Sequence, residues 1–248
     1  MNSLEEWKAA RLAALVAEDG WLNLTDRVEI GAGPQRVGRA DDNDLVLSVG
    51  PEHLGVLTLG DSGAMFQEPG KERQAFQPAP GGFPQLRVPP LLLELHTVDG
   101  VPALRVRDLT LKPQVQLRAF PDNPDWVIRA HWESFAPQTT EVAMKGGTVA
   151  SVTVTNRASF QHQGATVSLT ATHWKSGKPM FVFRDATAGE TYPACRFLYG
   201  EDPSDTEITL DFNRAISPPC AFTDFAICPL PPPGNILPFR IEAGELAP

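Results

Sequence analysis

Seven polar residues crowd the stretch 185–214: Asp185, Thr187, Thr191, Arg196, Asp211, Asn213 and Arg214. Carboxylates beside arginines can orient an anionic or polar ligand through charge-assisted hydrogen bonds, and they can serve as acid and base where burial shifts a pKa. The same side chains can instead tie down a long loop by satisfying its buried backbone groups. Read as ligand-binding residues, the seven describe a noncatalytic binding protein that recognises a small polar ligand or a partner segment. The first alternative is a hydrolase with Asp185 or Asp211 as acid/base and Arg196 or Arg214 stabilising negative charge. The second is a structural interaction module. Arg196 and Asp211 both fall on predicted strands, and the expectation is that they pair in one partly buried site.

The cysteines Cys195, Cys220 and Cys228 are too few for a secreted disulfide framework in a chain of 248 residues, which predicts a reducing, cytoplasmic setting. Cys220 and Cys228 flank a short loop between Pro218-Pro219 and Pro229. Two thiolates fall short of the usual four zinc ligands, and His53, His96, His131, His162 and His173 show no ligand spacing. Buried structural thiols are expected, a disulfide or redox role being the alternative; no metal and no cofactor are predicted. There is no P-loop, no Gly-x-Ser-x-Gly, no His-Glu-x-x-His and no Cys-x-x-Cys.

A net charge of −9 without a lysine/arginine cluster opposes binding to nucleic acid or to an anionic membrane surface. The start Met1-Asn2-Ser3-Leu4-Glu5-Glu6 is acidic where a signal peptide is basic, and no apolar run reaches spanning length. Hydrophobic residues at 42% and charged residues at 21% describe an ordinary globular chain. Its 24 prolines, about twice average usage, require many loops and strand edges.

The elements that must position the seven residues follow from periodicity. Ser3 and Glu6 make a capping box, and Leu4, Trp7, Arg11 and Leu15 share one stripe of a helix ending near Asp19-Gly20. From Trp21 the pattern turns to short β runs at 27–30, 35–38, 44–47, 55–59 and 64–67, then a proline-rich loop over 68–90 that includes Pro80. A hairpin over 91–97 and 103–107, turning at Asp99-Gly100, completes the first unit. After a connector at 119–125, strands are predicted at 126–132, 148–155, 166–173 and 180–184. Ile208, Leu210 and Phe212 alternate with Glu207, Thr209 and Asp211, which places Asp211 on the more polar face of a strand. The expected fold is mainly β: an N-terminal helix (1–20), a sandwich-like first unit (21–118), and a C-terminal β-barrel or sandwich (119–248) closed by a proline-rich loop.

Gly38-Arg39, Asn43-Asp44-Leu45-Val46-Leu47 and His53 resemble the forkhead-associated domain, a phosphothreonine-reading sandwich. Pro51-Glu52-His53 stands where that domain carries its phosphate-binding serine. A longer resemblance runs through Phe183-Arg184-Asp185-Ala186-Thr187-Ala188-Gly189-Glu190-Thr191-Tyr192, Arg196-Phe197-Leu198-Tyr199, Leu210-Asp211-Phe212-Asn213-Arg214-Ala215, Pro218-Pro219-Cys220-Ala221-Phe222, Cys228-Pro229-Leu230-Pro231-Pro232 and Ala243-Gly244-Glu245. On these motifs the chain resembles the family known as domain of unknown function 1684. The pattern departs from the family at Pro193-Ala194-Cys195 and at Ser217, where glycines and an asparagine are expected. The resemblance implies membership without an activity.

Overall fold

The computed structural model describes residues 3–60, 63–79, 82–98 and 100–248. Asp99 of the expected turn and Pro80 of the expected loop lie outside the described residues. Strand accounts for 46% and helix for 12%, so the protein is mainly β, with sandwich-like sheets and a curled half-barrel sheet. No helix among the described residues is long and apolar enough to cross a membrane. Its contacts form two compact units, one of Arg11–Gln114 and the other of Met1–Ala10 with Val115–Pro248.

Helix α1 covers Leu4–Val16, and the division between the units falls within it. Its start is the expected capping box: the Glu6 N–H donates to Ser3 Oγ at 3.2 Å and the Ser3 N–H donates to Glu6 Oε2 at 2.9 Å. It ends at Val16, short of the expected Asp19-Gly20.

The unit Arg11–Gln114 contains β1 (Leu24–Glu29), β2 (Pro34–Gly38), β3 (Leu45–Val46), β4 (Gly55–Gly60), β5 (Gly63–Gln67), β6 (Gln74–Ala75), β7 (Gln85–Val88), β8 (Leu91–Val98) and β9 (Val101–Asp108). One sheet runs β1-β9-β8-β7 and the other β3-β2-β4-β5-β6. Val37, Leu57 and Phe66 from one sheet share a buried cluster with Leu93, Leu104 and Val106 from the other, each contributing about 2 kcal/mol by leaving water. Gly38 is dictated by closeness: a Cβ there would meet the Glu52 carbonyl oxygen at 2.2 Å. The second face of β8 and β9 is also covered, but by charge. Glu94 lies between Arg105 at 3.3 Å and Arg107 at 3.2 Å, all three buried, with Arg105 also 5.3 Å from the Trp21 ring.

The other unit holds β10 (Val127–Ala143), β11 (Val149–His162), β12 (Ala165–Thr170), β13 (His173–Lys175), β14 (Lys178–Phe183), β15 (Arg196–Tyr199) and β16 (Glu207–Asp211). Its sheets are ordered β12-β11-β10-β16 and β13-β14-β15. Phe160, Leu169, Phe181, Phe183, Leu198, Leu210 and Phe212 form its core. Three expectations need correction. Strand β10 runs to 17 residues, past the expected 126–132, its outer half pairing with β11 through largely exposed sequence, and β11 runs to 14, past the expected 148–155, through the core residues Ala158 and Phe160. The strand expected over 166–173 is divided, β12 pairing with β11 and β13 with β14. Phe212 leaves the strand for a 3-10 turn, Phe212–Arg214, so the alternation fails at Asp211, which is buried with it.

Candidate functional site

The seven polar residues separate into two networks. The first is Asp185, Thr187, Thr191 and Arg196. Phe183 ends β14 and Arg196 starts β15 directly opposite it, so the intervening turn is long enough to fold back on itself. Within that turn the Glu190 and Thr191 N–H groups both donate to the Thr187 carbonyl, at 2.9 and 3.0 Å. Thr187 Oγ1 lies 2.9 Å from Asp185 Oδ1 and 3.1 Å from Thr191 Oγ1. Arg196 donates to Asp185 Oδ1 at 3.0 Å, to the Ile241 carbonyl at 3.1 Å and to the Ala243 carbonyl, while its guanidinium lies 4.9 Å from the Phe183 ring. The Ile241 N–H completes the ring by donating to Asp185 Oδ2 at 2.6 Å. Arg196 and Asp185 are both 1% exposed at the side chain, so the network fastens the C-terminal segment to the β14–β15 pair and meets no solvent.

The second network is Asp211, Asn213 and Arg214, and it extends to residues the sequence did not single out. Asp211 caps its own 3-10 turn, accepting from the Asn213 N–H at 3.1 Å. The Asn213 side chain acts as a surrogate strand edge: it accepts from the Asn123 N–H and donates to the Asn123 carbonyl, both at 2.9 Å. The Arg214 guanidinium lies 3.0 Å from Asp211 Oδ2 and 3.1 Å from Glu201 Oε1, with Lys178 3.4 Å from the same Glu201 oxygen. Arg196 therefore pairs with Asp185, and Asp211 with Arg214; the expected Arg196–Asp211 pair does not form. The period-2 reading located both strands but not their partners.

Arg214 opens onto a cleft of about 520 Å³ lined also by Trp7, Lys175, Lys178, Tyr199 and Glu201, with Ser176 and Asp202 completing it. Lys175 and Lys178 stand opposite each other across the two-residue turn of the β13–β14 hairpin, in which Ser176 and Gly177 take φ of 51° and 75°. Two ammonium groups directly opposite repel, and only Lys178 has Glu201 beside it. Glu201 is held in place by reciprocal backbone hydrogen bonds with Thr209, both 2.9 Å. Its Oε2 is buried and has no hydrogen-bond partner among the described residues. The guanidinium of Arg214 lies 5.9 Å from the Trp7 ring, which with Tyr199 supplies flat apolar surface. Lys175, Lys178 and Glu201 escaped the sequence reading. The available signal was a Lys-Ser-Gly-Lys turn between strand-like runs.

The residues that resemble the forkhead-associated domain make a turn in the other unit. Asn43 Nδ2 donates to the Ala40 carbonyl at 2.7 Å and to the Glu52 carbonyl at 2.8 Å, and His53 lies 3.8 Å from Asp42. All three cysteines are free and buried, and no described group of His, Cys, Asp or Glu has the arrangement of a metal site.

A family profile described as "Protein of unknown function (DUF1684)" matches residues 115–246. No curated protein matches the chain. Among solved structures, the solution NMR structure of an uncharacterized protein from Haloarcula marismortui is similar, at 34% identity over 52% of this chain and 75% of that one, with a TM-score of 0.43.

Proposed function

Taking as premise that the chain belongs to the family described as protein of unknown function DUF1684, we propose that it is a noncatalytic binding protein taking a small polar ligand in the Arg214 cleft. The observation that carries this reading is Glu201 Oε2, a buried acceptor without a partner among the described residues, in the wall of a 520 Å³ cleft. Such an oxygen is costly to bury, and a turn of the Glu201 carboxylate would bring it to a hydroxyl or ammonium donor in the cleft. The facing ammonium groups of Lys175 and Lys178 ask for an anion, and Trp7 and Tyr199 offer a flat surface for its apolar part. The ligand class is therefore a small anion that also bears a hydroxyl or amino group. A hydrolase reading has less support. Asp185 is enclosed by Arg196, Thr187 and the Ile241 N–H, and Asp211 is committed to Arg214 and Asn213.

The test is a thermal-shift panel of small carboxylates and phosphates carrying hydroxyl or amino groups. A ligand at a hundredfold its Kd stabilises the native state by about 2.7 kcal/mol. The double variant Lys175→Ala, Lys178→Ala keeps the unliganded melting temperature, because Lys175 is exposed and the Lys178 side chain is 52% exposed, and it loses the ligand shift. No shift with any member of the panel, or a shift that survives in the double variant, removes the proposal.

A further inference from the structure

Cys220 and Cys228 meet at the two ends of a surface loop, remote in role from the cleft chemistry. Cys220 sits in the 3-10 turn Pro219–Ala221, and its backbone N–H donates to Cys228 Sγ at 3.3 Å. That contact sets the Cys228 sulfur directly against the backbone of Cys220. Each end is anchored separately. The Cys220 carbonyl accepts from Tyr192 Oη at 3.0 Å and from Lys145 Nζ at 2.9 Å. The Cys228 carbonyl accepts from the Lys145 N–H at 2.8 Å, and the Leu230 N–H donates to the Ala143 carbonyl at 2.7 Å. Prolines 218, 219 and 229 stiffen both limbs, while Asp224 at the loop tip is 98% exposed at its side chain. Two cysteines held side by side on anchored backbone have little loop-closure cost left to meet on forming a disulfide.

We propose that Cys220 and Cys228 are a reversible dithiol–disulfide site, with Cys220 the attacking thiol and a small hydroperoxide the oxidant. The Cys220 thiolate attacks the terminal peroxide oxygen, the O–O bond breaks, and the alkoxide or hydroxide leaves with a proton as alcohol or water. Cys220 becomes a sulfenic acid. Cys228 sulfur then attacks the Cys220 sulfur, the S–O bond breaks, and the departing hydroxide takes the Cys228 proton as a second water. The two thiols are oxidised by two electrons and the peroxide is reduced by two. Both cysteines are 3% exposed, which excludes a protein disulfide as partner and restricts the oxidant to a small molecule.

The asymmetry of roles follows from the surroundings. The hydrogen bond from Cys228 draws the Cys220 thiol down to about 7, helped by Tyr192 and by the charge of Lys145, which is itself 3.5 Å from Asp224. Cys228 is pushed up by the same contact and by burial, and Cys195, whose Sγ donates to the Pro229 carbonyl at 3.6 Å, is pushed up by burial. Cys195 stands beside the pair as a third thiol that stays protonated.

The test treats the folded full-length protein with hydrogen peroxide and maps its peptides without reduction. The expected product is one Cys220–Cys228 link, a mass loss of about 2 Da that dithiothreitol reverses. In Cys228→Ser, dimedone labels Cys220; in Cys220→Ser, Cys228 remains a thiol. Alkylation of wild-type Cys220 rises through about pH 7. A link through Cys195, preferential labelling of Cys228, or oxidation that begins only in denaturant overturns the proposal. The wild-type peptide map decides even if a variant fails to fold.

Discussion

Arg196 and Asp185 lie 3.0 Å apart with both side chains 1% exposed, and the arginine continues past the carboxylate to the Ile241 and Ala243 carbonyls. One guanidinium thereby satisfies a turn and a terminal segment far apart in sequence. Removing either partner leaves a buried charge uncompensated. Asp185→Asn and Arg196→Ala should each destabilise the fold by about 3–5 kcal/mol in urea denaturation. Double-mutant cycles should show strong coupling between residues 185 and 196, and additivity within about 0.5 kcal/mol between 196 and 211. Coupling of 196 to 211 instead would contradict the pairing described here.

Asn213 contributes through shape and hydrogen bonding, its own side chain being neutral. Its amide replaces two strand-edge hydrogen bonds to Asn123, both 2.9 Å. Asn213→Ala should cost about 1–3 kcal/mol by orphaning those backbone groups. Asn213→Asp keeps the acceptor and loses the donor, while adding a charge beside Asp211, and should be at least as damaging. Equilibrium unfolding of the two variants reads the difference, and an undisturbed Asn213→Ala would show that solvent replaces the clamp.

His96 makes acid stability informative. Burial, with Arg105, Arg27 and Arg107 around it and Glu94 opposing them, lowers its pKa from 6.5 to about 4. In the window between those values the unfolded chain binds the proton and the folded chain does not. The contribution is complete above pH 6.5 and is lost as pH falls toward about 4, amounting to at most about 3 kcal/mol. Denaturant midpoints at pH 7 and pH 4.5 should therefore fall more steeply for wild type than for His96→Gln. Parallel curves would mean that His96 titrates normally.

Gly38 has the backbone of Glu52 against it, with the Glu52 oxygen 2.2 Å from where a Cβ would stand. Gly38→Ala must push β2 away from the segment before β4, and should cost about 1–3 kcal/mol. Gly33→Ala is a control of a different kind: a Cβ there meets nothing within 4 Å, and only its φ of +79° opposes the change. Thermal melts should rank Gly38→Ala as the more damaging. The reverse order would place the constraint in the backbone angle and not in the contact.

The capping box at Ser3 and Glu6 and the alternation of Ile208 and Leu210 were legible because each depends on residues close in sequence. The extent of β10 was not, since its outer half is largely exposed and is held by pairing with β11 and by the Leu230 N–H on the Ala143 carbonyl. The charges on β8 and β9 were equally hidden. Nothing in the spacing of Glu94, Arg105 and Arg107 marks them as buried, and it is the cover of Trp21 and Phe83, with the Gly20 carbonyl on Arg107, that makes that face an interior.

The chain by itself determined its class and its family, because strand periodicity, turn residues and long motifs are properties of neighbouring positions. It also singled out Asp185, Arg196, Asp211 and Arg214, all buried in the C-terminal unit, while Lys175, Lys178 and Glu201 went unmarked. Asp211 and Arg214 pair three residues apart, but the other partners were decided by tertiary structure, since Asp185 and Arg196 are joined by a long turn, whereas Glu201, Lys178 and Arg214 are joined by strand pairing and a hairpin. Ion-pair partners are chosen by distance in space, where a few ångströms decide between a sealed anchor and an open cleft, and that distance carries no signature in residue spacing.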